Sequence, residues 1–269
     1  MAIRLENYTL PEIPSRDSFS SMVPAEAGSM EGLDVTVELP SGEWILVEFR
    51  NGMASVKCNV EGWPASVEGA FHAANVGENE YLIAVDMEEP AGETMSLFLR
   101  FEAGNAVIVR NYYIGDDTAQ FLRGPDIAQD IRCGILSGNS DTGGVIERTD
   151  ARLGGRDFLL FDRDTVKEFI YLNHSRIVEH YVYTPELCGK VERQHADDFL
   201  VEPERYLLCW REMDTQKSHV GIFDYTSKKM TATTAFMTSP WSSSICLTGA
   251  VIVPVNGRID YWDGLEPTN

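Results

Sequence analysis

The sequence predicts an all-β protein made of two tandem antiparallel β-barrels. Three observations predict it. The chain repeats itself: "EYLIAVDMEEPAGETMSLFLRFEAGNAVIVRNYY" (Glu80–Tyr113) is echoed by "ERYLLCWREMDTQKSHVGIFDYTSKKMTATTAFM" (Glu204–Met237). Short apolar runs alternate with tight-turn residues throughout. No convincing amphipathic helix interrupts them, and sequential hairpins of this kind favour up-and-down barrels.

The repeat aligns Tyr81 with Tyr206, Phe101 with Tyr225 and Tyr112 with Phe236. It extends upstream, where "EWILVEFRNGMASVKCNV" (Glu43–Val60) parallels "VKEFIYLNHSRIVEHYVY" (Val166–Tyr183). Each of these reads as strand, turn, strand, and Asn51-Gly52 is a strong hairpin signal. A period of about 120 residues is too long for a solenoid and fits a duplicated domain. Each half reads as seven or so strands. Pro40-Ser41-Gly42, Ala103-Gly104-Asn105 and Lys228-Lys229 supply further turns.

The expected organisation is an N-terminal extension over residues 1–29, a first barrel over 30–140, and a second barrel with a short tail over 145–269. Residues 115–130 are expected to hold one helical turn before "IRCGIL" closes the first half. "SGNSDTGG" (Ser137–Gly144) has the composition of a linker and lacks the Lys-Ser/Thr ending of a phosphate loop.

Composition narrows the function. The formal net charge is −20 over 269 residues, a surface that repels phosphate backbones and anionic lipid. Nucleic-acid and membrane roles are therefore disfavoured. No apolar run approaches the roughly 20 residues needed to span a bilayer, and the N-terminal segment lacks the apolar core of a secretory signal. A cytoplasmic protein is expected. Five scattered cysteines contain no C-x-x-C pair, so neither a disulfide framework nor a zinc site is expected. No H-x-H, H-E-x-x-H, G-x-S-x-G or G-x-G-x-x-G motif occurs, so no metal or cofactor is expected.

The segments "GRDFLLF", "EFIYLNHSRIVEHYVY", "ERYLLCWRE" and "VGIFDY" resemble the C-terminal half of the MoaF family, over roughly Gly154 to Val255. The N-terminal half resembles the family's first domain more loosely. The resemblance implies calycin, or lipocalin-like, barrels. It also directs the search for a site to the second half, because the first repeat has Val85-Asp86-Met87 where the second has Trp210-Arg211-Glu212.

Reading Tyr206–Glu212 and His219–Tyr225 as a hairpin around Met213–Ser218 pairs Glu212 with His219, Trp210 with Gly221, Leu208 with Phe223 and Tyr206 with Tyr225. Alternation puts these four pairs on one face. Arg211, Asp224, Leu207, Cys209, Val220 and Ile222 take the other. The functional expectation is a barrel interior lined by Tyr206, Leu208, Trp210 and Phe223, with Glu212 and His219 near its mouth as acid and base. His180, between Val178 and Val182, is a second candidate proton carrier. The alternative is that the aromatics only fill the barrel, Glu212 and His219 form a surface pair, and Asp224 is a structural hydrogen-bond acceptor.

The reactions left open need only proton transfer and cavity shape: decarboxylation, dehydration, isomerisation or cyclisation of a small aromatic or polyketide-like molecule. A cofactor-free lyase or isomerase is the first expectation. The others are a carrier or sensor of a small apolar ligand, and a structural module with the first barrel as scaffold. Homo-oligomers are compatible with each.

Overall fold

A computed structural model describes residues 28–88, 92–113, 127–138, 144–149, 156–160, 166–172, 177–183, 190–212, 217–239 and 242–254. After a 3-10 turn at Gly28–Met30, the first half is built from β1 (Asp34–Glu38), β2 (Trp44–Arg50), β3 (Met53–Cys58), β4 (Ser66–Gly77), β5 (Glu80–Met87), β6 (Glu93–Arg100), β7 (Asn105–Tyr113) and β8 (Ile127–Leu136). The second half is built from β9 (Arg156–Leu160), β10 (Val166–Leu172), β11 (Ile177–Tyr183), β12 (Lys190–Glu202), β13 (Arg205–Glu212), β14 (Lys217–Asp224), β15 (Lys229–Ser239) and β16 (Ser242–Pro254). In each half every strand pairs antiparallel with its neighbour in sequence, and the last strand returns to the first to close an eight-stranded barrel. Among the described residues each half has eight strands, close to the seven or so expected.

Local chemistry explains the turns. Asn51 and Gly52 both have positive φ (54° and 75°), the conformation a tight β2–β3 hairpin requires. Lys228 at φ 56° makes the β14–β15 turn, where Asp224 Oδ1 accepts from the amides of Thr226 and Ser227 at 2.9 and 3.0 Å. Asp224 is therefore a turn residue, half-buried rather than buried. Residues 127–130, expected at the end of a helical turn, begin strand β8. Their polar composition hid the strand because its partners are distant in sequence. Asp130 accepts from the Trp63 indole at 2.7 Å, and Gln129 reaches across to β14. The rest of that helix expectation, 115–126, lies outside the described residues, as do residues 139–143 of the linker.

The repeat is structural. Tyr81 meets Phe101 edge to face at 5.8 Å between ring centroids, and the corresponding Tyr206 and Tyr225 meet at 6.0 Å. The first barrel's interior is filled by side chains, including Ile45, Val47, Phe49, Val56, Ile83, Val85, Met95 and Leu97. One end is plugged by Arg110, which donates bidentately to Glu93 at 2.6 Å per bond and to the Gly62 carbonyl at 2.7 Å.

The barrels pack side by side through their outer faces. Leu82, Phe98, Val107 and Val109 of the first join Phe199, Val201, Leu207, Cys209, Val220 and Ile222 of the second in one buried cluster, and Ile146 of the connecting segment joins them. Leu82 and Leu207 are equivalent positions of the repeat, as are Phe98 and Ile222. The same surface therefore appears on both sides, as at a two-fold interface.

Burial at this junction controls two thiols. It pushes Cys133 up to about 11 and Cys209 well above the ordinary thiol range. Only the thiolate alkylates readily. At pH 8 both should resist iodoacetamide in the native protein and react after guanidinium unfolding. Prompt native labelling of either, mapped by peptide mass spectrometry, would contradict this packing.

Candidate functional site

The β13–β14 hairpin pairs Glu212 with Lys217, Trp210 with His219, Leu208 with Gly221 and Tyr206 with Phe223. The register expected from the sequence is off by two residues. Alternation explains why the expected faces survive this error: a slide of two returns every side chain to its own side, whereas a slide of one would invert the set. Leu208, Trp210 and Phe223 therefore do point inward, where they pack with Leu159, Met230, Ala232, Ala250 and Ile252. Leu207, Cys209, Val220 and Ile222 face the first barrel. Arg211 also faces outward and is half-buried. Its Nη1 donates to the Ile127 carbonyl at 3.5 Å, and burial lowers its pKa.

Glu212 and His219 come together, and they are not a surface pair. Their side chains are 2% and 7% exposed, with Glu212 Oε1 3.1 Å from His219 Nε2. The imidazole lies flat against the Trp210 indole, centroids 4.5 Å apart and planes within 11°. Trp210 in turn meets Phe223 edge-on at 6.1 Å. Gly221 makes room for this arrangement: a Cβ there would sit 3.1 Å from the Trp210 ring and 3.3 Å from Phe223.

The line continues to two residues that the sequence did not single out. His219 Nδ1 is 3.0 Å from Thr234 Oγ1, and Thr234 Oγ1 is 3.1 Å from Thr248 Oγ1. Thr248 donates to the Ala232 carbonyl at 3.3 Å. Each threonine hydroxyl has one proton. If Thr248 gives its proton to Ala232, then Thr234 donates to Thr248 and His219 Nδ1–H donates to Thr234; the other tautomer reverses the bond at Nδ1. In either tautomer Nε2 faces the buried Glu212 carboxyl at 3.1 Å. Threonine is common in strands, so "TATTAF" carries no signal of this role.

The first barrel has no counterpart. The repeat places Val85 at the position of Trp210, Met87 at Glu212, Met95 at His219 and Arg110 at Thr234. Both methionines are buried, and Arg110 belongs to the plug. Of the remaining candidates, Tyr206 is separate from the pair. It lies at the far end of β13, half-buried against Tyr225. His180 takes its place in β11 opposite Phe169 and Glu192, and its side chain lies outside what the structure describes. Among the described residues no cluster of three or more His, Cys, Asp or Glu could hold a metal ion, and no helix is long and apolar enough to cross a membrane.

Comparison with known proteins leaves the chain without a family assignment. No family model matches it, and no curated protein matches it. A solved structure from Burkholderia vietnamiensis, provisionally assigned as a beta-lactamase, overlaps 40% of this chain and all of its own at 13% identity. Its TM-score of 0.34 is too low for that overlap to bear on fold or chemistry.

Proposed function

We propose that the second barrel binds a small aromatic or polyketide-like molecule and acts on it by proton transfer, as a cofactor-free lyase or isomerase in a calycin-type fold of the MoaF kind. The observation that carries this reading is the buried Glu212–His219 pair, a carboxyl oxygen 3.1 Å from an imidazole nitrogen. A carboxyl and an imidazole that exchange a proton serve equally as acid and base, and His is suited to the range near neutral pH. Trp210 holds the imidazole plane, and the aromatic wall suits a flat ligand. A merely structural role should have a counterpart in the first barrel, where Met87 and Met95 fill the equivalent space. The first barrel then serves as scaffold.

The test is a panel of enolisable aromatic ketones, aromatic β-keto acids and polyketide mimics, incubated in D2O and followed by NMR for deuterium uptake, loss of carbon dioxide or rearrangement. Wild type should turn over at least one class. Glu212→Gln keeps the size and removes the ionisable group; it should fold and lose about 100-fold or more in rate. Full activity in a folded Glu212→Gln protein, or no binding or exchange across the panel, would refute the reading.

A further inference from the structure

The faces that meet between the barrels are built from equivalent positions, so the junction has two halves that ought to match. One half differs. It lies behind β14 where that strand presents His219. There Gln129 Nε2 donates to the Ser218 hydroxyl at 2.7 Å and to the His219 carbonyl at 3.2 Å. Ser218 donates to Asn111 Oδ1 at 2.6 Å, and Asn111 Nδ2 donates to Thr94 at 3.2 Å. Asn111, Ser218 and Thr94 are all buried.

In the matching half, the repeat replaces the cross-strand pair Asn111–Gln129 with Ala235–Ile245. Ala235 and Ile245 pack against Ala84 in a small apolar cluster. The strand this half lies behind is β6, with Met95 in place of His219. That half has hydrogen bonds of its own, Ser96–Thr233 at 2.7 Å and Ser243 to the Glu93 carbonyl at 3.1 Å, but at the position equivalent to Asn111–Gln129 it carries methyl groups where the other half carries a directional polar network. Burying polar groups gains little net stability over an apolar contact of the same shape. What the network adds is direction: hydrogen bonds fix a carbonyl and a hydroxyl in place, whereas apolar contacts permit sliding.

We propose that Asn111 and Gln129 of the first barrel are positioning residues for His219, acting through the Ser218 hydroxyl and the His219 carbonyl to hold the imidazole between Glu212 and Thr234. Its functional meaning rests on the acid–base reading above, but its test needs no substrate. The full chain, 15N-labelled at histidine, carries either Asn111→Ala with Gln129→Ile, which copies the apolar half, or Ser218→Ala alone. Ile245→Val in the apolar half is the control for general loosening. The His219 ring resonances are assigned by their absence from His219→Gln.

The positioning variants should move the His219 ring-nitrogen resonances and speed exchange of its ring N–H on the order of 10-fold or more, as expected when a buried site opens locally. The control should leave both unchanged. Unaltered ring resonances and exchange in folded Asn111→Ala/Gln129→Ile protein would overturn the proposal. If that protein does not fold, unaltered behaviour in Ser218→Ala overturns it. A panel that shows no turnover would sink the acid–base reading and leave this result standing.

Discussion

Glu80→Ala is expected to destabilise the protein by about 3–5 kcal/mol, the usual consequence of stripping one partner from a buried charge cluster. Glu80 is the anion at the centre of the junction between the barrels. It accepts from Arg100 Nε at 2.7 Å within its own barrel, and forms an ion pair with Arg205 Nη2 of the other at 2.6 Å. The three side chains are only 9%, 13% and 11% exposed. Arg100 and Arg205 also reach the backbone carbonyls of Val201 and Val76, and Arg205 pairs with Glu202. Without Glu80, the two guanidinium groups keep only the more exposed Glu202 as a shared carboxylate partner. Glu80 and Arg205 are equivalent positions of the repeat, so the duplicated surface has taken opposite charges in its two copies. The exposed Asp34–Arg50 pair, 2.5 Å apart, is the internal comparison: Asp34→Ala should have little effect, because water and salt screen such pairs. Denaturant titration of both variants decides the point. A loss below about 1 kcal/mol for Glu80→Ala, the range of a surface pair, would show that the junction is hydrated in solution.

Trp210→Ala should cost a comparable amount, about 3–5 kcal/mol, the range for truncating a buried large aromatic. Trp210 is among the largest fully buried side chains and joins the two chemistries of the second barrel. Its indole covers the His219 ring and abuts Phe223, while Gly221 leaves the space beneath it. Truncation creates a cavity and also frees the imidazole that Glu212 and Thr234 hold at its edges. Trp210→Phe should recover much of the stability by retaining an aromatic face. The contrast between the two is measurable by chemical denaturation alone. Equal and small losses for both would mean that the stack is not maintained in solution.

The period-2 alternation of β13 and β14 was enough to sort their residues into two faces before any pairing was known. Both faces are apolar, so only the structure decides that Leu208, Trp210 and Phe223 face inward while Leu207, Cys209 and Val220 face the first barrel. The hairpin register was not legible. Sliding by two residues preserves both faces, so nothing in the apolar pattern separates Glu212 opposite His219 from Glu212 opposite Lys217. The carboxylate and imidazole still meet, diagonally rather than directly across. Strand β8 was misread at its start because Gln129 and Asp130 look like surface residues until their partners on β14 and at Trp63 are known.

The sequence by itself determined the repeat, the all-β class, the turns at Asn51-Gly52 and Lys228, and the single face that carries both Glu212 and His219. These depend on short-range terms: backbone conformations that particular residues favour, and alternation along a single strand. Closure into two eight-stranded barrels, their packing face to face, and the recruitment of Thr234, Thr248 and Gln129 to the histidine were decided only in the tertiary structure. Those choices depend on contacts between residues 14 to 150 positions apart, whose identities, mostly Thr, Ser, Leu and Val, are common in any strand. The physical reason is that a hydroxyl or methyl group acquires its role from what lies across the sheet, and that neighbour is chosen by the closing of the barrel.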